Sequence, residues 1–286
     1  KPLKNDIIIF NSNIYHSVKP YYGQNDRIAI AWDAIYTFWI MGFKKTLKRK
    51  ISKINNFFIK KYNISNNNII ITGANSGIGF ELVKNLHREN NILAFVNDSD
   101  QNLKNLSNKK IVISKCDFSN LEVLNNKLNL LKSFEPTIII NCAATFGSEN
   151  QNYDNLNILE YNKIINVNVL APFSIIQKAL TCNSLQQIIN ISSQMGSITL
   201  NTGGNYYLYR CSKTLLNSLS KNLSIDLMSR KINVICVHPG DIKTKMNNAG
   251  TYAAEVSAQK IINIISEKNF SFNGKFINID KEILQW

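Results

Sequence analysis

Tyr209 and Lys213 stand four residues apart in Tyr209-Arg210-Cys211-Ser212-Lys213, so one helical turn would place a phenol and an ammonium on the same face. A nearby positive charge favours phenolate, and the pair therefore predicts a Tyr209 pKa lowered from its ordinary value near 10, as a general acid or base requires. Tyr206 and Tyr207 have no lysine four residues on. Upstream, Ser193 ends the run Ile189-Asn190-Ile191-Ser192-Ser193 and offers a hydroxyl to a substrate oxygen, whereas Asn190 and Ser192 read as structural hydrogen-bonders. A second constellation is Thr72-Gly73-Ala74-Asn75-Ser76-Gly77-Ile78-Gly79, which follows an apolar run and opens a helical pattern in Ile78, Leu82 and Leu86. Glycines let a backbone turn tightly and approach a pyrophosphate, while free N–H groups and the dipole at a helix start attract the anion. Gly73, Asn75, Ser76, Gly77, Ile78 and Gly79 are thus candidate cofactor-binding residues. Each signal alone is common; their order along one chain carries the argument.

These residues need elements to position them. From residue 66 onward the chain alternates helical patterns with short apolar runs at 68–71, 92–96, 111–114, 137–140, 187–191, 232–237 and 275–279. Runs apolar throughout, rather than at every second residue, predict a parallel sheet covered on both faces. The expected fold class is α/β, a Rossmann-like doubly wound parallel sheet of about seven strands. Its ligand should lie across the carboxyl ends of the strands, so the residues just after each run become candidates.

Composition narrows the function classes. With 286 residues, 44% hydrophobic and 18% charged, the chain has ample core material and is no disordered or collagen-like protein. Five cysteines without a CxxC pair suggest neither a disulfide framework nor a zinc site, and no metal is expected. The net charge of +14 is local, because Lys44, Lys45, Lys48, Arg49, Lys50, Lys53, Lys60 and Lys61 cluster in an acid-free stretch. A nucleic-acid binder is therefore not expected. Leu47, Ile51, Ile54 and Phe58 recur within it at helical spacing, which suits either a solvated linker helix or weak contact of residues 44–61 with a membrane surface. The longest apolar run near the N-terminus, Phe38 to Phe43, is too short to span a bilayer. A cytoplasmic protein is expected. Three zones follow: a β fragment at 1–36, the basic connector at 37–65 and a domain at 66–286. A chain beginning without Met reads as a fragment, with Met41 a candidate internal start.

The 66–286 zone resembles the short-chain dehydrogenase/reductase family, whose pattern is a TGxxxGxG turn, a strand-end Ser and YxxxK. Here these are Gly73, Gly77 and Gly79, then Ser193, then Tyr209 with Lys213. The family's Asn-Asn-Ala-Gly strand end appears as Asn141-Cys142-Ala143-Ala144, which loses the glycine. The resemblance further implies an active-site role for Asn168, an adenine contact for Asp117 with Phe118, and a nicotinamide contact for Pro239-Gly240 and Thr244. Residues 207–213 and 273–286 look most like the C-factor-type subgroup.

What the resemblance implies is reversible hydride transfer between a nicotinamide and a carbonyl or secondary alcohol, with Tyr209 as proton donor, Lys213 depressing its pKa and binding the nicotinamide ribose, so that both also count as cofactor-binding residues, Ser193 orienting the oxygen and Asn168 anchoring a relay water. A small-molecule carbonyl or alcohol substrate and a homo-oligomer are expected. An acid ending the second strand of this domain would favour NAD and a basic residue NADP; the sequence has Val96-Asn97-Asp98, with Asn97 at the basic position, and the reading leans slightly to NADP. The alternative is a dinucleotide-binding sensor or signalling protein without turnover. Residues 6–36, with His16 and Arg27, resemble the last strands of 2-oxoglutarate/iron(II) dioxygenases, although the other iron ligands are missing; the plainer reading is a β-hairpin with an exposed His.

Overall fold

The computed structural model describes residues 8–10, 29–31, 64–98, 101–106, 109–244 and 247–286. The chain divides into two compact units, Lys1–Lys61 and Tyr62–Trp286. In the first, β1 (Ile8–Phe10) and β2 (Ala29–Ala31) pair in parallel. A tight hairpin joins antiparallel strands only, so this pairing replaces the hairpin reading. His16, Arg27 and the cationic cluster Lys44 to Lys61 lie outside the described residues.

The second unit is built on seven parallel strands: β3 (Asn68–Thr72), β4 (Asn91–Val96), β5 (Ile111–Lys115), β6 (Ile138–Asn141), β7 (Gln187–Ile191), β8 (Asn233–His238) and, after a two-stranded pair formed by β9 (Ile242–Lys243) and β10 (Tyr252–Ala253), β11 (Phe276–Asn278). The order across the sheet is β11-β8-β7-β6-β3-β4-β5. All seven expected runs are strands, displaced by a residue or two at their ends. They read as continuously apolar because successive side chains enter opposite layers: Ile69 and Ile71 join one core with Leu82 and Ile261, while Ile70 joins the other with Phe95, Ile139 and Ile175.

Five helices of eight or more residues flank the sheet among the described residues: α1 (Gly77–Leu86), α2 (Ile158–Ile165), α3 (Ala171–Ala179), α4 (Tyr207–Asp226) and α5 (Ala254–Ser266). A single π-helical turn, Asn166–Leu170, joins α2 to α3. The chain runs β3, β4, β5 toward one edge and then returns to set β6 beside β3. This reversal parts the loops at the strands' carboxyl ends and opens a crevice there.

Candidate active site

The glycine turn leaves β3 at the crevice. Gly73 has φ +64, and a Cβ there would sit 2.9 Å from the Ala143 backbone. At Gly79 a Cβ would meet the Gly73 carbonyl oxygen at 2.3 Å, so α1 can start this close to the strand only with glycine in place. Gly77, at φ +53, would meet only the Thr244 side chain at 3.4 Å. The turn is thus tightly packed beneath and open toward the crevice. Thr72 Oγ1 accepts from the N–H groups of Cys142 and Ala143, each at 2.9 Å, and ties the ends of β3 and β6 together. Asn75 donates to Asp98 at 3.3 Å, and Ser76 precedes α1 in extended conformation without a side-chain cap bond.

A cleft of about 860 Å³ runs across the strand ends. Of the expected residues, Gly73, Asn75, Ser76, Gly77, Ile78, Asn97, Asp117, Phe118, Ala143, Ser193, Tyr209, Lys213, Pro239, Gly240 and Thr244 line it. Gly79, Asn141 and Asn168 are not on its wall. Buried Asn141 donates to Asn190 at 2.8 Å, and Asn190 donates to Ser220 at 2.7 Å, a polar chain that fastens β6 and β7 to α4. Ser192 similarly donates to Asn217 at 2.6 Å. Asn168 accepts from Thr145 N–H at 2.8 Å and donates to the Thr145 carbonyl and to Ser212 Oγ, each at 2.9 Å. Its side chain is committed to a clasp that ties the loop after β6 to α4.

Tyr209 and Lys213 occupy successive turns of the buried face of α4. The Lys213 ammonium donates to the Ile191 carbonyl at 3.0 Å and lies 5.8 Å from the centre of the Tyr209 ring. Lys213 forms no ion pair among the described residues, and burial pulls its pKa down to about 8. Burial pushes the Tyr209 phenol up to about 12, opposed by a hydrogen bond with Ser193. The lowered phenol pKa expected from the spacing is therefore reversed: the ammonium's short contact is to a carbonyl, and loss of hydration outweighs the Ser193 hydrogen bond at the phenol.

Spacing alone did not reveal four further features. Phe146 packs on Tyr209 with ring centres 4.6 Å apart and on Tyr206 at 5.2 Å. Buried Gln151 reaches the start of α4. His238, on the cleft wall, accepts from Gln194 N–H at 3.3 Å; burial lowers its pKa against the opposing charge of Asp241. Cys142 also lines the cleft, its thiol pushed by burial to about 12. His238 was open to discovery from its place at a strand end. Among the described residues no cluster of three His, Cys, Asp or Glu side chains is poised for a metal, and no helix is long and apolar enough to cross a membrane.

Comparison with known proteins bears on this geometry. The family model described as short chain dehydrogenase matches residues 67–254. The chain is 29% identical to the C-signal of Myxococcus xanthus over 124 residues, covering 42% of this chain and 75% of the relative. It is 30% identical to the 3-oxoacyl-[acyl-carrier-protein] reductase FabG of Rickettsia typhi over 186 residues, covering 63% and 74%. Among solved structures, the carbonyl reductase Sniffer of D. melanogaster superposes with a TM-score of 0.71 at 27% identity, covering 77% of this chain and all of that one. An NADPH-bound carbonyl reductase from chicken fatty liver superposes with a TM-score of 0.70 at 25% identity, covering 78% and 100%.

Proposed function

The chain belongs to the short chain dehydrogenase family and is an oxidoreductase of that kind, and from this premise we propose that it reduces a small-molecule carbonyl with NADPH, in reversible exchange with the secondary alcohol. The observation that carries the reading is the meeting of Ser193, Tyr209 and Lys213 on the wall of the same cleft as the Gly73–Gly77 turn.

The residues present fit a dinucleotide. The glycine turn leaves a space that side chains would fill, and the start of α1 offers N–H groups and a dipole to a pyrophosphate. Asp117 and Phe118 would hold the adenine end, and Ala143, Pro239, Gly240 and Thr244 the nicotinamide end. When bound, the dinucleotide supplies the hydride. Ser193 would orient the carbonyl oxygen, and Tyr209 would deliver its proton to that oxygen from a phenol that stays protonated at neutral pH. Lys213, charged below about pH 8, would stabilise the phenolate left behind.

Three observations support NADP(H). Val96, buried at the end of β4, puts no carboxylate where an NAD enzyme of this family carries one. Asp98 accepts from Asn75, and Asn97 gives the cleft a neutral amide beside them. The chicken relative binds NADPH. A second reading, a dinucleotide-binding signalling protein, draws on the similarity to C-signal; retention of Ser193, Tyr209 and Lys213 together favours turnover.

The test is a screen of carbonyl compounds with NADPH and NADH, followed by loss of the reduced nicotinamide's absorbance, with Tyr209→Phe as control. That variant keeps the ring against Phe146 and removes only the acid. Turnover should fall by about 10²–10⁴-fold with NADPH affinity unchanged. Turnover equal to the wild type would refute the assignment.

A further inference from the structure

The loop that leaves β6 is fastened at two points to the start of α4. At the first, Asn168 clasps Thr145 and reaches Ser212 on α4. At the second stands Gln151, whose side chain has no exposure to solvent. Its amide donates to the carbonyl oxygens of Phe146 at 2.7 Å and Ser148 at 2.6 Å. Its side-chain oxygen accepts from the N–H of Tyr209 at 2.9 Å, and its backbone oxygen accepts from the N–H of Tyr207 at 3.2 Å.

Helix α4 needs such a partner. The first-turn N–H groups of a helix have no acceptors within it. Serine, threonine, asparagine or aspartate usually supplies one, but the residue preceding α4 is Tyr206, at φ 52 and ψ 41, with no side-chain cap. Gln151 supplies the missing acceptors from 58 residues upstream of Tyr209. Its carboxamide also has a defined direction, because the oxygen faces an N–H and the nitrogen faces two carbonyls. Phe146, between the two fastenings, lays its ring against that of Tyr209. Gln151 itself is absent from the cleft wall and touches no reacting group.

We infer that Gln151 is a positioning residue for the proton donor: it caps the helix that carries Tyr209 and anchors the loop that covers the Tyr209 ring. The inference rests on the proposed role of Tyr209. Without this cap the first turn of α4 would fray, Phe146 would lift, and water would reach the phenol, whose pKa should then drop from about 12 toward its ordinary value near 10.

The experiment uses the full chain with Gln151→Met, which keeps side-chain length without hydrogen bonds, and Gln151→Glu, which keeps the acceptor for Tyr209 N–H but no longer donates to Phe146 and Ser148. Three quantities are measured: NADPH affinity, kcat and KM with menadione as the carbonyl probe, and the Tyr209 titration, taken as the ultraviolet difference between each protein and its Tyr209→Phe counterpart. Both variants should lose about 10- to 100-fold in kcat, as misplacing a reacting group does, with NADPH affinity kept, and the phenol should titrate lower in the methionine variant. The glutamate variant, which retains the cap, covers the case in which the methionine variant does not fold. Wild-type kcat in both variants would overturn the inference, as would a loss of kcat with an unmoved Tyr209 titration in the methionine variant. If the wild type reduces neither menadione nor any carbonyl of the screen, that counts against the functional reading, and the titration, which needs no substrate, decides the role of Gln151 by itself.

Discussion

Raising the pH should switch off carbonyl reduction through Lys213 rather than through Tyr209. Lys213 is 2% exposed, its ammonium is held by one carbonyl, and its pKa falls from 10.5 to about 8. Tyr209 stays protonated to about 12. Between these values the proposed acid would still be in place, but the cation proposed to stabilise its phenolate would have gone. With NADPH varied and the carbonyl saturating, kcat/KM reports the enzyme free of dinucleotide. It should be flat below pH 7 and fall about tenfold per pH unit above 8. An ordinary lysine would place that limb more than two pH units higher. Steady-state rates from pH 6 to about 10, with stability checked at each point, measure it. In Lys213→Met the residual rate should lose this limb. A wild-type limb near 10, or one that survives in Lys213→Met, would refute the argument.

Three further outcomes are expected. Gly73→Ala should destabilise the fold by about 2–5 kcal/mol, because it adds a left-handed backbone penalty to a backbone clash with Ala143, while Gly77→Ala, which meets only a side chain, should cost about 1–2 kcal/mol; urea unfolding compares them. Asn97→Asp, on the cleft wall, should weaken NADPH more than NADH, by about tenfold, because a carboxylate there would repel a 2′-phosphate; equilibrium titration of both dinucleotides checks the difference. Stability should change little from pH 7 to 9 and fall by about 2 kcal/mol from 9 to 10. Lys213 has a depressed folded pKa, so the unfolded chain holds more protons and stability rises above 8. The thiols of Cys116, Cys142 and Cys236 have raised folded values, about 11 to 12 against 9.0, so the folded chain holds more protons and stability falls above 9. Urea unfolding midpoints across this range test the balance, and a continued rise above pH 9 would refute it.

The sheet was legible in the sequence because a strand buried on both faces must be apolar at every position, and Ile69, Ile70 and Ile71 meet that demand without exposure. The glycine turn was legible for a similar reason, since its backbone excludes other side chains. Partners of buried polar groups were not. Asn168 carries a residue type suited to water or substrate, yet its hydrogen bonds go to Thr145 and Ser212, which distant parts of the chain bring beside it. Gln151 lies in a stretch with no helical or strand periodicity, and its value comes from a helix 58 residues away that lacks a cap of its own. Spacing finds residues that act within one element; these act between elements.

The reversed pKa of Tyr209 shows how such a pair works. At about 6 Å and an effective dielectric constant of about 20, a unit charge is worth about 3 kcal/mol, or about two pH units. Full burial moves an ionisable group by up to about 3–5 pH units the other way. Burial should therefore win, and the phenol sits at about 12, with its hydrogen bond to Ser193 as the opposing influence. The result suits reduction, which needs a donor still carrying its proton. It also places the lysine's contribution late in the reaction. In the proposed mechanism the ammonium would have little to attract while Tyr209 is neutral; as the proton left for the carbonyl oxygen, a phenolate would develop in a poorly solvated site and the full attraction would appear. An interaction weak with the resting group and strong with the departing one lowers the barrier without deepening the ground state, which is the condition for raising kcat.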